Sequence, residues 1–93
     1  MERLTLIDVL SEAIVAHLGL VVLWYDPIDA EEVVSNFSAE EVIGINLQDT
    51  VMSGYYNNHT SWAGIPYTQI MGIVLNGVSY FAHHHGSIHL YRF

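Results

Sequence analysis

The sequence predicts an α+β fold, in which an N-terminal helix and short acidic helices pack on a three- to four-stranded antiparallel sheet. The apolar runs TQIMGIVL and VSYFAHH flank Asn76-Gly77. This is the strongest short-range hairpin signal, because both residues of such a turn must accept a positive φ. A second reversal at His85-Gly86 returns the chain through SIHLYRF. Together these runs predict a C-terminal β-meander.

Turns at these two sites set the register of the meander. Val74 is expected opposite Ser79 and Gly72 opposite Phe81, while the second hairpin places Phe81 opposite Leu90. Both faces of such a sheet are rich in apolar side chains, although a half-exposed antiparallel sheet normally alternates apolar with polar residues. We therefore expect both faces to be covered.

One face is expected to carry the helices. The other face, which contains Met71, Ile73 and Tyr80, is predicted to be a self-association surface of a homo-oligomer.

Capping signals predict the helices. Thr5 and Asp8 resemble a capping box, apolar residues follow at helical spacing, and Gly19 is a natural stop. The β-branched and aromatic run LVVLWY (residues 20–25) then predicts a fourth strand.

Two further boxes follow, Asp29-Ala-Glu-Glu32 and Ser38-Ala-Glu-Glu41, and each predicts a short helix. Their exposed first turns are expected to form one acidic patch: Asp29, Glu31, Glu32, Glu40 and Glu41.

Residues 46–67 are predicted to be an irregular loop with several large aromatic side chains. Tyr and Trp beside Asn, Ser and Gly are typical of recognition loops, because aromatic rings supply contact area at low entropic cost. Tyr55, Tyr56 and Trp62 are therefore the predicted anchors for a partner. The alternative is that these rings plug the open end of the sheet.

Length and composition indicate one small globular domain, residues 1–93. The chain has 93 residues, 52% of them apolar, and no cysteine, which excludes disulfides and thiolate chemistry. There is no signal-peptide pattern and no apolar run long enough to cross a bilayer. We expect a cytoplasmic protein that does not bind membranes.

Charge is distributed unevenly along the chain. The formal net charge is −8, all acids lie between Glu2 and Asp49, and the two basic residues are Arg3 and Arg92. Such a chain lacks the cations needed to bind nucleic acid through its phosphates. It suits a protein partner with a basic surface, because complementary fields accelerate association.

The histidines suggest an alternative metal site. In the expected register His84 and His89 share a face on neighbouring strands, and His85 in the turn or His59 from the loop is the third ligand for zinc. No carboxylate follows Asp49, and the spacing matches no zinc motif. We therefore expect no cofactor, with zinc as the alternative.

Sequence motifs for catalysis are absent. There is no nucleophile elbow, no glycine-rich phosphate loop and no lysine, so we expect no enzymatic activity. The leading hypothesis is a small acidic binding or inhibitor protein that occupies a basic surface of a macromolecule. Phage-encoded anti-CRISPR, anti-restriction and toxin-immunity proteins share this size and charge. The alternative to a protein partner or a metal is a nucleotide-like ligand held by the aromatic loop.

Overall fold

The computed structural model describes residues 3–82 and 89–92, which form a small compact α+β fold. Within this part of the chain one α-helix accompanies nine strands in two antiparallel sheets. The larger sheet has the order β1-β9-β8-β7-β2-β3, and the smaller has the order β4-β5-β6. The Cα radius of gyration is 11.9 Å, close to the value of about 12 Å expected for a compact chain of this length.

The strands of the larger sheet are β1 (Arg3–Thr5), β2 (Leu20–Asp26), β3 (Glu31–Phe37), β7 (Ile70–Leu75), β8 (Val78–Ala82) and β9 (His89–Arg92). Those of the smaller sheet are β4 (Asn46–Leu47), β5 (Val51–Tyr56) and β6 (Ser61–Pro66). The helix α1 (Leu6–Ala16) follows β1, and two 3₁₀ turns cover Glu41–Gly44 and Tyr67–Gln69. The prediction of three to four strands was therefore too low.

Helix α1 begins where its capping signal predicts. The Thr5 hydroxyl accepts a hydrogen bond from the Asp8 backbone N–H at 3.2 Å, which satisfies one of the unpaired donors of the first turn. The helix ends at Ala16, and His17 takes the left-handed conformation (φ 55°) that was expected of Gly19. Its inward residues are buried in the core: Leu6, Val9, Leu10 and Ala13.

The helix predicted from Asp29 is wrong, because this segment is strand β3. Asp26 pairs with Glu31 and Leu20 with Phe37, so residues 27–30 are the turn of a long β2–β3 hairpin. The inward-pointing residues of β3 are Val33, Ser35 and Phe37, and the last two are completely buried. The pairing of all seven residues of β3 with β2 overrides the local capping signal.

The second capping box is present. Ser38 N–H donates to Glu41 Oε1 at 3.0 Å, and Glu41 N–H donates to the Ser38 hydroxyl at 3.1 Å. It opens the 3₁₀ turn Glu41–Gly44 rather than an α-helix.

Residues 46–67 are not irregular, which corrects the loop prediction. They form the smaller sheet, with a hairpin turn whose residues Asn57, Asn58 and His59 all have positive φ, from 54° to 65°. Asparagine accepts this conformation more readily than most residues. Met52 and Ile65, paired across β5 and β6, are both completely buried.

The first hairpin of the meander is confirmed. Asn76 and Gly77 have positive φ values of 50° and 81°, and Val74 lies opposite Ser79 as predicted. The second hairpin differs by one residue, since Phe81 pairs with Tyr91 rather than with Leu90. Its predicted turn lies outside the described residues. The shift turns Leu90 into the core, where it is completely buried.

A bulge also changes which side chains of β7 point inward. The pairing of β2 with β7 shifts between Leu23 and Trp24, so that Trp24 lies opposite Ile70. Ile70 and Ile73 are both buried as a result, whereas regular alternation would place them on opposite faces. The core lies between this inner face, helix α1 and the smaller sheet.

Candidate functional site

A groove separates the end of the β2–β3 hairpin from strand β6. Its volume is about 450 Å³, within the range of about 300–1,000 Å³ typical of small-ligand sites. Residues 26–29 and Glu31 line one side, and residues 62–64 of β6 line the other. We call this the acidic groove.

The hairpin turn that forms one wall has a definite local structure. Asp26 Oδ1 accepts a hydrogen bond from the Ile28 backbone N–H at 3.0 Å, an Asx turn that Asp-Pro sequences favour. Ala30 completes the turn with a φ of 52°. Ile28 is 91% exposed at the tip, so an apolar side chain stands at the mouth of the groove.

Two tryptophans border the groove in different ways. Trp24 is only 8% exposed, and its Nε1–H donates to the buried Ser35 hydroxyl at 2.9 Å. Trp62 is 58% exposed and lies across Gly64, where an added Cβ would be 3.5 Å from its Cη2 atom. The groove therefore has one fixed indole and one that is accessible to a ligand.

The charges around the groove have one sign. Asp26, Asp29 and Glu31 line it, and no Lys, Arg or His does so among the described residues. Three carboxylates without a countercharge next to aromatic faces form a site suited to a cation, which carboxylates attract by charge and indoles by cation–π interaction.

The predicted acidic patch is divided by the fold. Asp29 and Glu31 reach the acidic groove, whereas Glu32, the next residue of β3, lies by a second cavity on the outer face of the larger sheet. The Glu40 side chain is 84% exposed and lies 3.7 Å from His59 Nε2. Glu41 is not available to a partner, because its side chain is 1% exposed.

Glu41 is instead a structural carboxylate that joins two loops. Besides Ser38, it accepts the His59 backbone N–H at Oε2 (2.6 Å) and lies 3.3 Å from His59 Nδ1. Burial raises the pKa of Glu41, but hydrogen bonds from Ser38, His59 and Asn58 outweigh it and hold the pKa below its usual range. The side chain thereby fixes the β5–β6 turn to the 3₁₀ segment.

The predicted aromatic anchors occupy three environments. Tyr55 and Trp62 are cross-strand partners on β5 and β6, both more than half exposed. Tyr56 lines the groove, but its ring packs against Phe37 with centroids 5.8 Å apart. Trp62 is thus the accessible anchor, and Tyr56 supports the core.

The predicted self-association residues do not share a surface. Ile73 is completely buried and Tyr80 is 9% exposed, so this part of the prediction is wrong. The bulge in β7 leaves Met71 on the outer face instead, beside a cavity of about 340 Å³ that Leu23, Val74 and Phe81 also line. The outer face of the larger sheet is therefore apolar, but residues other than Ile73 and Tyr80 form it.

The predicted metal ligands His84 and His85 lie outside the described residues. His89 is on β9, opposite Thr5 of β1. Across residues 3–82 and 89–92 no three His, Cys, Asp or Glu side chains are grouped closely enough to hold a metal ion.

Polar residues of the predicted aromatic loop, the segment proposed to hold a nucleotide-like ligand, build the β5–β6 turn. Asn57 Oδ1 accepts the Asn36 N–H at 3.4 Å, and the Thr60 hydroxyl donates to the Asn57 carbonyl at 2.6 Å.

Several groove residues were missed by the sequence reasoning. Trp24 was assigned only to the predicted fourth strand, and Asp26 and Pro27 were assigned no role. The sequence did contain a signal, since three acidic residues surround Pro27 shortly after a tryptophan. Their relation to β6, more than thirty residues later, depends on the fold.

Comparison with known proteins provides no relative: no protein family, curated protein or solved structure matches this chain. In the described part of the chain no helix has the length and apolar character to span a membrane.

Proposed function

We propose that this protein is a non-enzymatic binding protein whose acidic groove receives a basic group of a macromolecular partner. The observation that carries the proposal is the combination of Asp26, Asp29 and Glu31 with Trp24 and Trp62, without a basic side chain among the lining residues.

A cationic side chain gains two interactions in this groove. A guanidinium or ammonium ion in the groove forms a charge-assisted hydrogen bond with a carboxylate that lines it. The accessible indole of Trp62 adds a cation–π contact of about 0.5–1 kcal/mol at an exposed site. Arginine suits the geometry best, because its planar group both stacks and forms bidentate hydrogen bonds.

The chain has few basic side chains that could occupy this groove. Only two of its 93 residues are Lys or Arg, and the formal net charge is −8. A second copy would bring the same excess of acid. We therefore propose that the cation comes from a different molecule.

A basic macromolecule fits the whole-molecule charge as well as the groove. Long-range attraction between oppositely charged surfaces raises association rates and weakens with added salt. Enzymes that handle nucleic acids present such surfaces, and an inhibitor that covers one would compete with the phosphate backbone. We propose this inhibitor role as the biological use of the groove.

The first test measures binding of an acetylated, amidated tetra-arginine peptide by isothermal titration at low salt. The matched peptide contains citrulline, which has nearly the same shape without the charge. Saturable binding of the arginine peptide alone is expected, and equal binding of both peptides would contradict a cation site.

The second test neutralises the groove. Asp29→Asn with Glu31→Gln removes two exposed ion pairs worth about 0.2–1 kcal/mol each, so affinity should fall about 2- to 30-fold. The control is Glu12→Gln with Glu32→Gln, which removes the same charge at exposed positions outside the groove. An equal loss in both pairs would show that only net charge matters and would refute the groove.

A further inference from the structure

The edge of strand β6 forms a wall of the acidic groove. β6 is the last strand of the smaller sheet, paired with β5 on one side. Three consecutive residues, Trp62, Ala63 and Gly64, line the groove. Because successive side chains of a strand point to opposite faces, we infer that a groove lined by all three reaches the edge of β6 that is not paired with β5.

This edge lacks the usual protection against strand pairing. Natural edge strands are commonly blocked by charged residues, above all lysine, or by proline. Ser61–Ile65 contains no charged residue, and the chain has no lysine. Pro66 ends β6 and removes one donor there, which leaves five residues, or about 17 Å, of uninterrupted edge.

The carboxylates lie across the groove from this edge. Asp29 and Glu31 belong to the hairpin wall, while Trp62 borders the β6 side. A segment that lies in the groove alongside β6 would therefore have its basic side chains between an indole and two carboxylates.

We propose that the β6 edge accepts an extended segment of a basic partner protein as an additional strand. Backbone hydrogen bonds to residues 62–64 hold the segment, and its Arg or Lys side chains enter the acidic groove. This mode of recognition takes affinity from the main chain and specificity from alternate side chains. The inference rests on the proposed function, and it adds the shape of the ligand to its charge.

Charge complementarity excludes a second copy as the occupant. β6 has no basic residue, so pairing of two β6 edges would leave the groove carboxylates without cations.

The experiment uses the probe peptide acetyl-Val-Arg-Val-Arg-Val-amide and two N-methylated forms, one methylated at the odd residues and one at the even residues. An added strand turns only one set of amides towards β6. One methylated peptide should therefore bind at least about tenfold more weakly, since two or three hydrogen bonds are lost, while the other stays close to the parent.

Amide hydrogen exchange followed by NMR provides the second readout. The parent peptide should slow exchange at outward-facing amides among residues 62–64. The outward-facing amides of β1, at the other edge of the larger sheet and outside the groove, serve as the internal control.

The outcomes separate the two proposals. If both methylated peptides bind like the parent, or weaken equally, strand addition is overturned, while a requirement for Asp29 and Glu31 would still support the cation site. If the parent binds no better than its citrulline analogue, the proposed function fails and strand addition fails with it.

Discussion

Replacement of the buried carboxylate of Glu41 tests how the second sheet is held in place. Glu41→Gln keeps the size of the side chain but retains one acceptor oxygen in place of two. Since Oε1 accepts from Ser38 and Oε2 from His59, the new amide NH₂ must face one of these N–H donors. One charge-assisted hydrogen bond is lost without replacement.

The expected loss of stability follows from the loss of that hydrogen bond. Hydrogen bonds to a charged group contribute about 1.5–3 kcal/mol, and each kcal/mol lowers the melting temperature of a domain of this size by about 4–8 °C. Glu41→Gln should therefore melt about 6–24 °C below the wild type. The matched control is Glu40→Gln, whose side chain is 84% exposed and whose loss should cost no more than about 0.5 kcal/mol.

The pH dependence of this difference has a definite sign. The pKa of Glu41 is lowered in the folded protein from its ordinary value of 4.5, so the unfolded chain binds the proton more readily. The stabilisation by the Glu41 carboxylate is fully present above about pH 4.5. It disappears as the pH falls through the lower pKa that Glu41 has in the folded protein. The stability gap between the wild type and Glu41→Gln should narrow over that range. His59 and Glu40 face the same group, so a His59→Gln background isolates the carboxylate.

Urea unfolding monitored by tryptophan fluorescence between pH 7 and pH 3 measures this gap. If Glu41→Gln is as stable as Glu40→Gln at pH 7, the carboxylate does not join the two loops. A gap that stays constant across the whole pH range would refute the role of its charge.

Two further predictions concern the core and the outer face. Ser35→Ala leaves the buried indole N–H of Trp24 without its acceptor, so the free energy of unfolding should fall by about 1–3 kcal/mol in urea titrations; no change would show that water replaces the hydroxyl. Self-association through the outer face is a second proposal: Met71→Lys with Val74→Lys should convert an oligomer into monomers in sedimentation experiments, because the apolar contact is lost. Val15→Lys, at a helix position 80% exposed, is the control, and a wild-type protein that is monomeric at all concentrations would refute the proposal.

The two capping boxes show where local sequence is sufficient and where it is not. Both have an acid three residues after a capping side chain, yet Ser38 forms the box and Asp29 does not. The segment after Asp29 pairs with all seven residues of β2, and the ladder outweighs one cap of about 1 kcal/mol. The Ser38 box persists because Glu41 gains a further donor from His59, eighteen residues later.

The aromatic loop illustrates the same limit. The positive φ angles of Asn57 and Asn58 were signalled by their residue type, but the pairing of β5 with β6 depends on apolar residues that alternate weakly between Gly, Ser and Tyr. The sequence indicated recognition at Trp62, and the structure places Trp62 at the groove. Whether it binds a partner stays a prediction.

The sequence alone determined the features that depend on neighbouring residues. The start of α1 at Thr5, strand β2, the Asn76-Gly77 turn and the register of the hairpin around it all follow from caps, turn residues and apolar periodicity. The surplus of acid over base is likewise a property of composition.

Only the tertiary structure decided which surfaces these elements present. A bulge in the pairing of β2 with β7 turned Ile70 into the core and Met71 to the outer face. A β8–β9 register one residue from the predicted one placed Leu90 in the core, since a step of one residue exchanges the faces of a strand. The acidic groove likewise depends on contacts between segments far apart in the chain: the β2–β3 turn supplies the charge and β6 supplies the edge. No local pattern encodes that meeting, because it results from how two sheets pack over one core.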